Sequence, residues 1–168
     1  MTSSGCGTTV KEYGHLLAHD TVYAAKAQRI SALTRDISEV IAAESERLQP
    51  MLAAAKANIR APKLALQLPC SLQHGQQIKG VIERILLAAG FELTPVEDSH
   101  LCCGSAGTYS ILQPQLANKL KVNKLAALHA GSPQAIVSAN LGCMSHLQSG
   151  TALPLEHWIV ALERRLAG

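Results

Sequence analysis

Apolar positions recur at three- and four-residue steps through the first third of the chain: Val10, Leu16, Leu17, Val22, Ile30, Leu33, Ile37, Val40 and Ile41. Neither Gly nor Pro falls between Asp20 and Gln49. The spacing predicts amphipathic helices from Thr8 to about Ala57, broken near Asp20 and Ser31, with Pro50 marking a bend or a new start. From Pro62 the rhythm changes, and Lys63 to Leu68 alternates as a strand that runs into a loop at Pro69-Cys70. Gln76 to Ala89 then reads as a helix burying Ile78, Val81, Ile82, Ile85 and Leu86, stopped by Gly90. Phe91 to Val96 reads as a second strand interrupted by Pro95, Pro114 to Ala130 as a helix closed by Gly131, and Ala135 to Ser138 as a third strand. Leu155 to Leu166 reads as a closing helix.

Strands alternating with helices predict an α/β fold, a parallel sheet flanked by helices, preceded here by a helical N-terminal extension. In such folds the loops at the carboxyl ends of the strands gather on one edge, where sites form. Cys70 and Cys143 directly follow predicted strands, and Cys102-Cys103 lies in the loop after the second. Four of the five cysteines are thereby directed to one place.

With 168 residues the chain suits one domain, or one domain and part of a neighbour. Arg29, Lys56, Glu83 and Lys119 interrupt the apolar stretches before any reaches the roughly 18 residues of a membrane span. The opening Met-Thr-Ser-Ser-Gly-Cys lacks the basic and apolar regions of a secretory signal, so a cytoplasmic, reducing compartment is expected. Reduced thiols favour metal ligation over structural disulfides, and five unevenly spaced cysteines suit a disulfide framework poorly. The net charge of +3 is dispersed and aromatics make up 3% of the chain, which argues against nucleic acid as a partner.

Thirty-one residues separate Cys70 from Cys102, and thirty-nine separate Cys103 from Cys143. Thiolates brought from several loops suit a soft-metal site, and Gly104-Ser-Ala-Gly107 lets backbone amides approach a bound group. A phosphate cradle is the weaker reading of those glycines, because their spacing matches neither a P-loop nor a dinucleotide fingerprint. Any single cysteine is more often a small buried hydrophobe than a ligand, but an adjacent pair is more readily explained by a loop wrapped around something. A vicinal disulfide is strained. His146, three residues after Cys143, is a candidate ligand, a donor to sulfur or a cap; His74 and His100 read as local or supporting residues, and His15 and His19 as neighbours on one helical face. Zinc held by Cys102, Cys103, Cys143 and His146 competes with an iron-sulfur cluster, although paired C-x-x-C ligands are missing.

The segments Pro69-Cys-Ser-Leu-Gln-His-Gly75, Cys102-Cys-Gly-Ser-Ala-Gly-Thr-Tyr109 and Asn140-Leu-Gly-Cys-Met-Ser-His146 resemble the cysteine-rich CCG domain family. That domain occurs twice in the B subunit of heterodisulfide reductase and in the iron-sulfur subunit of glycolate oxidase. The three segments, with Pro154-Leu-Glu-His-Trp-Ile159, look most like the C-terminal part of the glycolate oxidase subunit. The resemblance implies Cys70, Cys102, Cys103 and Cys143 as ligands of a cluster, 4Fe-4S in type, with His146 tuning or completing the site where the reductase pattern has a further cysteine. It implies electron transfer from a flavin-containing partner subunit that oxidises a 2-hydroxy acid, at the membrane only through partner subunits. Ser4-Gly-Cys-Gly7 and Lys11-Glu-Tyr-Gly14 resemble the tail of a preceding CCG module, with Cys6 as its last ligand. Residues 1–57 are then a helical tail and linker, and residues 58–168 the cysteine-rich domain. The ferredoxin-like C-x-x-C-x-x-C runs of that subunit do not occur here, so the chain reads as a C-terminal fragment. A docking module with zinc or no metal, and a thiol-disulfide redox module, are the competing readings.

Overall fold

Four short strands, β1 (Lys63–Gln67), β2 (Glu92–Leu93), β3 (Ala135–Ser138) and β4 (Leu155–His157), form one parallel sheet in the order β2-β1-β3-β4. The computed structural model describes residues 1–57 and 61–167, so residues 58–60, beside the expected domain boundary, lie outside the described residues. The order places β1 and β3 side by side although the connection between them runs through β2. Chain direction away from the centre therefore reverses between β1 and β3, and a crevice opens at their carboxyl ends.

Alternation along the central strands feeds two cores. Leu64, Leu66 and Val137 bury against α6 (Val81–Ala88), α10 (Trp158–Ala167) and α5 (Ser45–Ala57), in a cluster with Leu52, Ile82, Leu86, Trp158 and Leu162. Ala65 and Ile136 face the other way, toward α8 (Pro114–His129) and α9 (Leu141–Gln148), with Leu125, Leu128 and Leu147. Cys103 and Cys143 belong to this second core. The side chains of β1 are buried almost throughout, as a parallel strand covered on both faces requires. At the carboxyl edge a polar row crosses the sheet in register, Gln67 beside Ser138 and Ser138 beside His157. The Ser138 hydroxyl donates to the Gln67 side-chain oxygen.

The expected fold class is the observed one, with local corrections. Leu155 to His157 is a strand, not the start of the closing helix; its Leu155 and His157 pair with Ile136 and Ser138, and α10 begins at Trp158. The helix expected from Gln76 begins only at Val81, because Gln77 takes a left-handed φ of 57° that no right-handed helix accommodates. Residues Ser71–Gly75 instead form a π-helical turn. The second strand is confined to Glu92–Leu93, with the Thr94 N–H adding one bond to the Leu64 carbonyl before Pro95.

The N-terminal third is helical: α1 (Ser4–Lys11), α2 (Tyr13–Leu16), α3 (Ala24–Leu33) and α4 (Ile37–Ala43) precede α5. Asp20 breaks the chain by accepting from Val22 and Tyr23 N–H groups. The second break comes at 34–36, past Ser31, where Asp36 caps α4 in a capping box with Glu39. Ser31 stays inside α3 because its hydroxyl bridges the Val10 carbonyl and the Gly14 N–H. Helix α5 continues through Pro50. Of the apolar stripe, Ile37 and Ile41 reach the core while Leu16, Val22 and Leu33 remain largely exposed. The α2–α3 pair contributes only one buried residue, Ala27.

Candidate functional site

Each cysteine of the spaced pattern is delivered to the carboxyl edge by its own loop. Cys70 follows β1 and opens the π-helical turn, whose Leu72 and Gln73 N–H groups both bond the Pro69 carbonyl. Cys143 lies in the first turn of α9, after β3. Cys102 and Cys103 arrive on the long connection between β2 and α7 (Tyr109–Leu112). That connection is tied to the Cys70 loop by the Gln73 side-chain amide, which donates to the carbonyls of Leu68 (2.9 Å) and Ser99 (3.1 Å). Gly104 turns the chain after Cys103 with φ 91°, directly over the Ala117 carbonyl of α8.

The four thiols meet in sequence. Cys70 and Cys102, Cys102 and Cys103, and Cys103 and Cys143 lie close enough to shift one another's titration, and Cys70 also feels the charge of Cys143. The Cys102 sulfur nearby pushes the Cys70 thiol far above its ordinary range, and burial adds to this. Cys103 is raised further, by Cys102 and Cys143 and then by burial. Cys102 moves the other way, held as a thiolate by Cys103 and Cys70, with lesser help from the Gly104 N–H and Lys124. Cys143 is lowered by Cys103 and by Asn140. Along the four sulfurs the shifts alternate, downward at Cys102 and Cys143 and upward at Cys70 and Cys103, so Cys70 and Cys103 keep their protons. A metal guest would displace the remaining protons.

Each of the two sulfurs shifted downward faces an N–H donor. The Gly104 N–H lies 3.3 Å from Cys102 Sγ, and the Asn140 side-chain amide lies 3.4 Å from Cys143 Sγ. Asn140 occupies the N-cap position of α9 but makes no cap bond. Its oxygen instead accepts from the Ser3 hydroxyl (2.8 Å) and the Gly5 N–H (3.0 Å), which leaves the NH2 group pointing at sulfur. The α1 segment is bound to the same edge by Ser4, whose N–H reaches the Ala139 carbonyl and whose hydroxyl meets that of Ser71.

The remaining candidates fall outside this thiol set. His146, one turn beyond Cys143, contacts the Ala117 carbonyl through Nε2 at 3.4 Å. His74 Nε2 contacts the His100 carbonyl at 3.4 Å, linking two cysteine loops. Cys6 is exposed on α1, and all five cysteines are free thiols. Among the described residues, no group of three or more His, Cys, Asp or Glu side chains is arranged to hold a single metal ion.

Lys124 was not anticipated by the sequence reading. It is 2% exposed, on the buried face of α8 with Ala117, Leu125 and Leu128, and its ammonium donates to the carbonyls of Ser99 (2.8 Å) and Asp98 (3.4 Å). Burial pulls it toward the neutral form, opposed by the thiols of Cys103, Cys102 and Cys143. Its signal in the sequence is a charged residue at a position of the apolar stripe.

The family model CCG, described as a cysteine-rich domain, matches residues 64–148. The chain is 48% identical over 167 residues to the "Glycolate oxidase iron-sulfur subunit" of Escherichia coli (strain K12), covering 99% of this chain and 39% of that protein. It is 30% identical over 150 residues to the "Probable glycolate oxidase iron-sulfur subunit" of Bacillus subtilis (strain 168), covering 88% and 32%. It is 26% identical over 149 residues to the "Lactate utilization protein A" of Bacillus velezensis, covering 86% and 59%. The chain therefore spans about a third of the length of the first two of these relatives and less than two thirds of the third.

Proposed function

Because the chain belongs to the CCG cysteine-rich domain family, we propose that Cys70, Cys102, Cys103 and Cys143 hold an iron-sulfur cluster of the 4Fe-4S type and that the protein acts as an electron-transfer module. The observation that carries this is the coupled set of four thiols from three separate loops, gathered at the crevice of the sheet. The donor set suits the cluster chemically: four sulfur ligands, with a backbone N–H aimed at Cys102 and a side-chain N–H aimed at Cys143. Bound there, the cluster would supply one-electron transfer at a potential set by those hydrogen bonds and by burial.

The chain's own residues would do the rest. Gln73 and the Gly104 turn hold the two loops in mutual register, and Asn140 stabilises the negative charge on Cys143. His146 is left out of the ligand set and fixes α9 to α8 through the Ala117 carbonyl. A single zinc ion is the weaker reading, since no three candidate ligands are arranged for one ion among the described residues. The similar proteins are named for glycolate oxidase and lactate utilization, and the wider role proposed is to pass electrons from a flavin-containing subunit that oxidises glycolate, lactate or a related 2-hydroxy acid. Among the described residues no helix is long and apolar enough to cross a membrane; attachment through partner subunits is part of the proposal.

Anaerobic reconstitution with iron and sulfide, followed by metal analysis and absorption and paramagnetic resonance spectra, tests the proposal. A brown protein with iron and acid-labile sulfide in comparable amounts, lost in Cys103→Ser, supports it. Folded protein that takes up no iron, or colourless protein holding stoichiometric zinc after anaerobic purification, overturns it.

A further inference from the structure

We propose that Lys124 is the internal counter-ion of the cysteine centre, a positioning residue that stabilises the accumulated negative charge and pins the loop carrying Cys102 and Cys103. The inference rests on the reading of the four thiols as ligands. An ammonium almost wholly withdrawn from solvent is strongly disfavoured unless opposite charge lies nearby. Two carbonyl oxygens, of Ser99 and Asp98, satisfy part of its hydrogen bonding, but they bring no formal charge. No carboxylate forms an ion pair with it among the described residues. Cys103 and Cys143 pack in the same core as Leu125 and Leu128 of α8, and the cysteine site and the Asp98 carboxylate both oppose the effect of burial on the ammonium.

Four thiolates around an iron-sulfur core leave the centre with net negative charge, which a buried cation offsets most in its reduced state. The same ammonium holds residues 98 and 99, just ahead of the vicinal cysteines, against α8. Removing the charge while keeping the chain's volume separates the two roles, and Lys124→Met does this with a side chain suited to the apolar stripe.

Wild type, Lys124→Met and Lys124→Arg are reconstituted anaerobically with ferrous iron and sulfide. Iron content, the rate of iron loss to a chelator and the midpoint potential by dye-mediated titration are then compared. The Met apoprotein is expected to keep its far-ultraviolet spectrum. Once loaded, it loses iron about tenfold faster than wild type, and its potential moves to more negative values. Lys124→Arg, which keeps the charge, restores the potential toward that of wild type. Unchanged iron loss and potential in the Met variant overturn the counter-ion proposal and leave the ligand assignment standing. Failure of Arg to restore the potential, or an unfolded Met apoprotein, overturns it by showing a packing role alone. Wild type that takes up no iron overturns the ligand assignment and this proposal with it.

Discussion

Gly104→Ala is expected to destabilise the protein by roughly 2–5 kcal/mol, the sum of two separable costs. The first is conformational: Gly104 has φ 91°, and a side chain in the left-handed half of backbone space costs about 1–2 kcal/mol. The second is steric. A Cβ built on Gly104 would lie 2.4 Å from the Ala117 carbonyl oxygen and 3.1 Å from Leu120 Cβ. The clashing atom is helix backbone, so it cannot swing aside, and overpacking of this kind costs about 1–3 kcal/mol. Gly107 supplies the internal control, because its φ is 60° but an added Cβ there meets nothing within 4 Å. Gly107→Ala should lose only the conformational part, about 1–2 kcal/mol. Urea unfolding of the reduced apoproteins, with equal slopes, gives both differences directly. If Gly104→Ala costs no more than Gly107→Ala, the loop does not press on α8 and the account of how Cys103 is held fails.

Asn140→Asp keeps an oxygen for Ser3 and Gly5 but replaces the N–H donor to Cys143 by a carboxylate. Apoprotein melting close to wild type with about tenfold weaker iron retention is expected; equal retention would show that the amide does not act on the sulfur. His157 is expected to make the fold acid-sensitive. Its Nε2–H donates to the Thr2 carbonyl (2.7 Å) and its Nδ1 accepts from the Ile159 N–H (3.2 Å), so the neutral ring is fully used and burial holds it below its ordinary value of 6.5. The unfolded chain binds the proton more readily, so its contribution is complete above about 6.5 and is lost as pH falls through the folded value. The melting temperature of the apoprotein should drop as the pH falls below about 6.5, and His157→Gln should shallow that drop.

Periodicity located β1 and β3 because their side chains are buried on both faces and the β-branched or Leu-rich runs end at clear punctuation. It failed at β4, where Leu155, Glu156 and His157 are too few to show alternation and lead without a break into an amphipathic helix. Only pairing with β3 distinguishes them. The cysteine set was legible for a different reason: loops after parallel strands share one edge, so topology alone joins Cys70 to Cys143. Asn140 looked ordinary locally, as a helix N-cap, and the one local sign of Lys124, a charge on the apolar stripe of α8, is weak in a helix that also carries Lys119 and Lys121. Their roles depend on neighbours far away in sequence, Ser99 and Ser3, which no local pattern brings forward.

The N-terminal segment bears on the site more directly than a flanking extension would. Ser3, Ser4 and Gly5 engage the Asn140 side chain, the Ala139 carbonyl and the Ser71 hydroxyl, and the Thr2 carbonyl accepts a hydrogen bond from His157 Nε2. The Gln76 amide returns to the Ser4 carbonyl. These bonds reach the loops of Cys70 and Cys143 together, the two cysteines at the ends of the thiol series. The donor that quiets Cys143 is aimed by residues 3 and 5, so the electrostatics of that sulfur depends on α1 lying where it does. Order in the first eight residues and the charge state of the cysteine centre are therefore linked by one amide group, and each stabilises the other to the same extent.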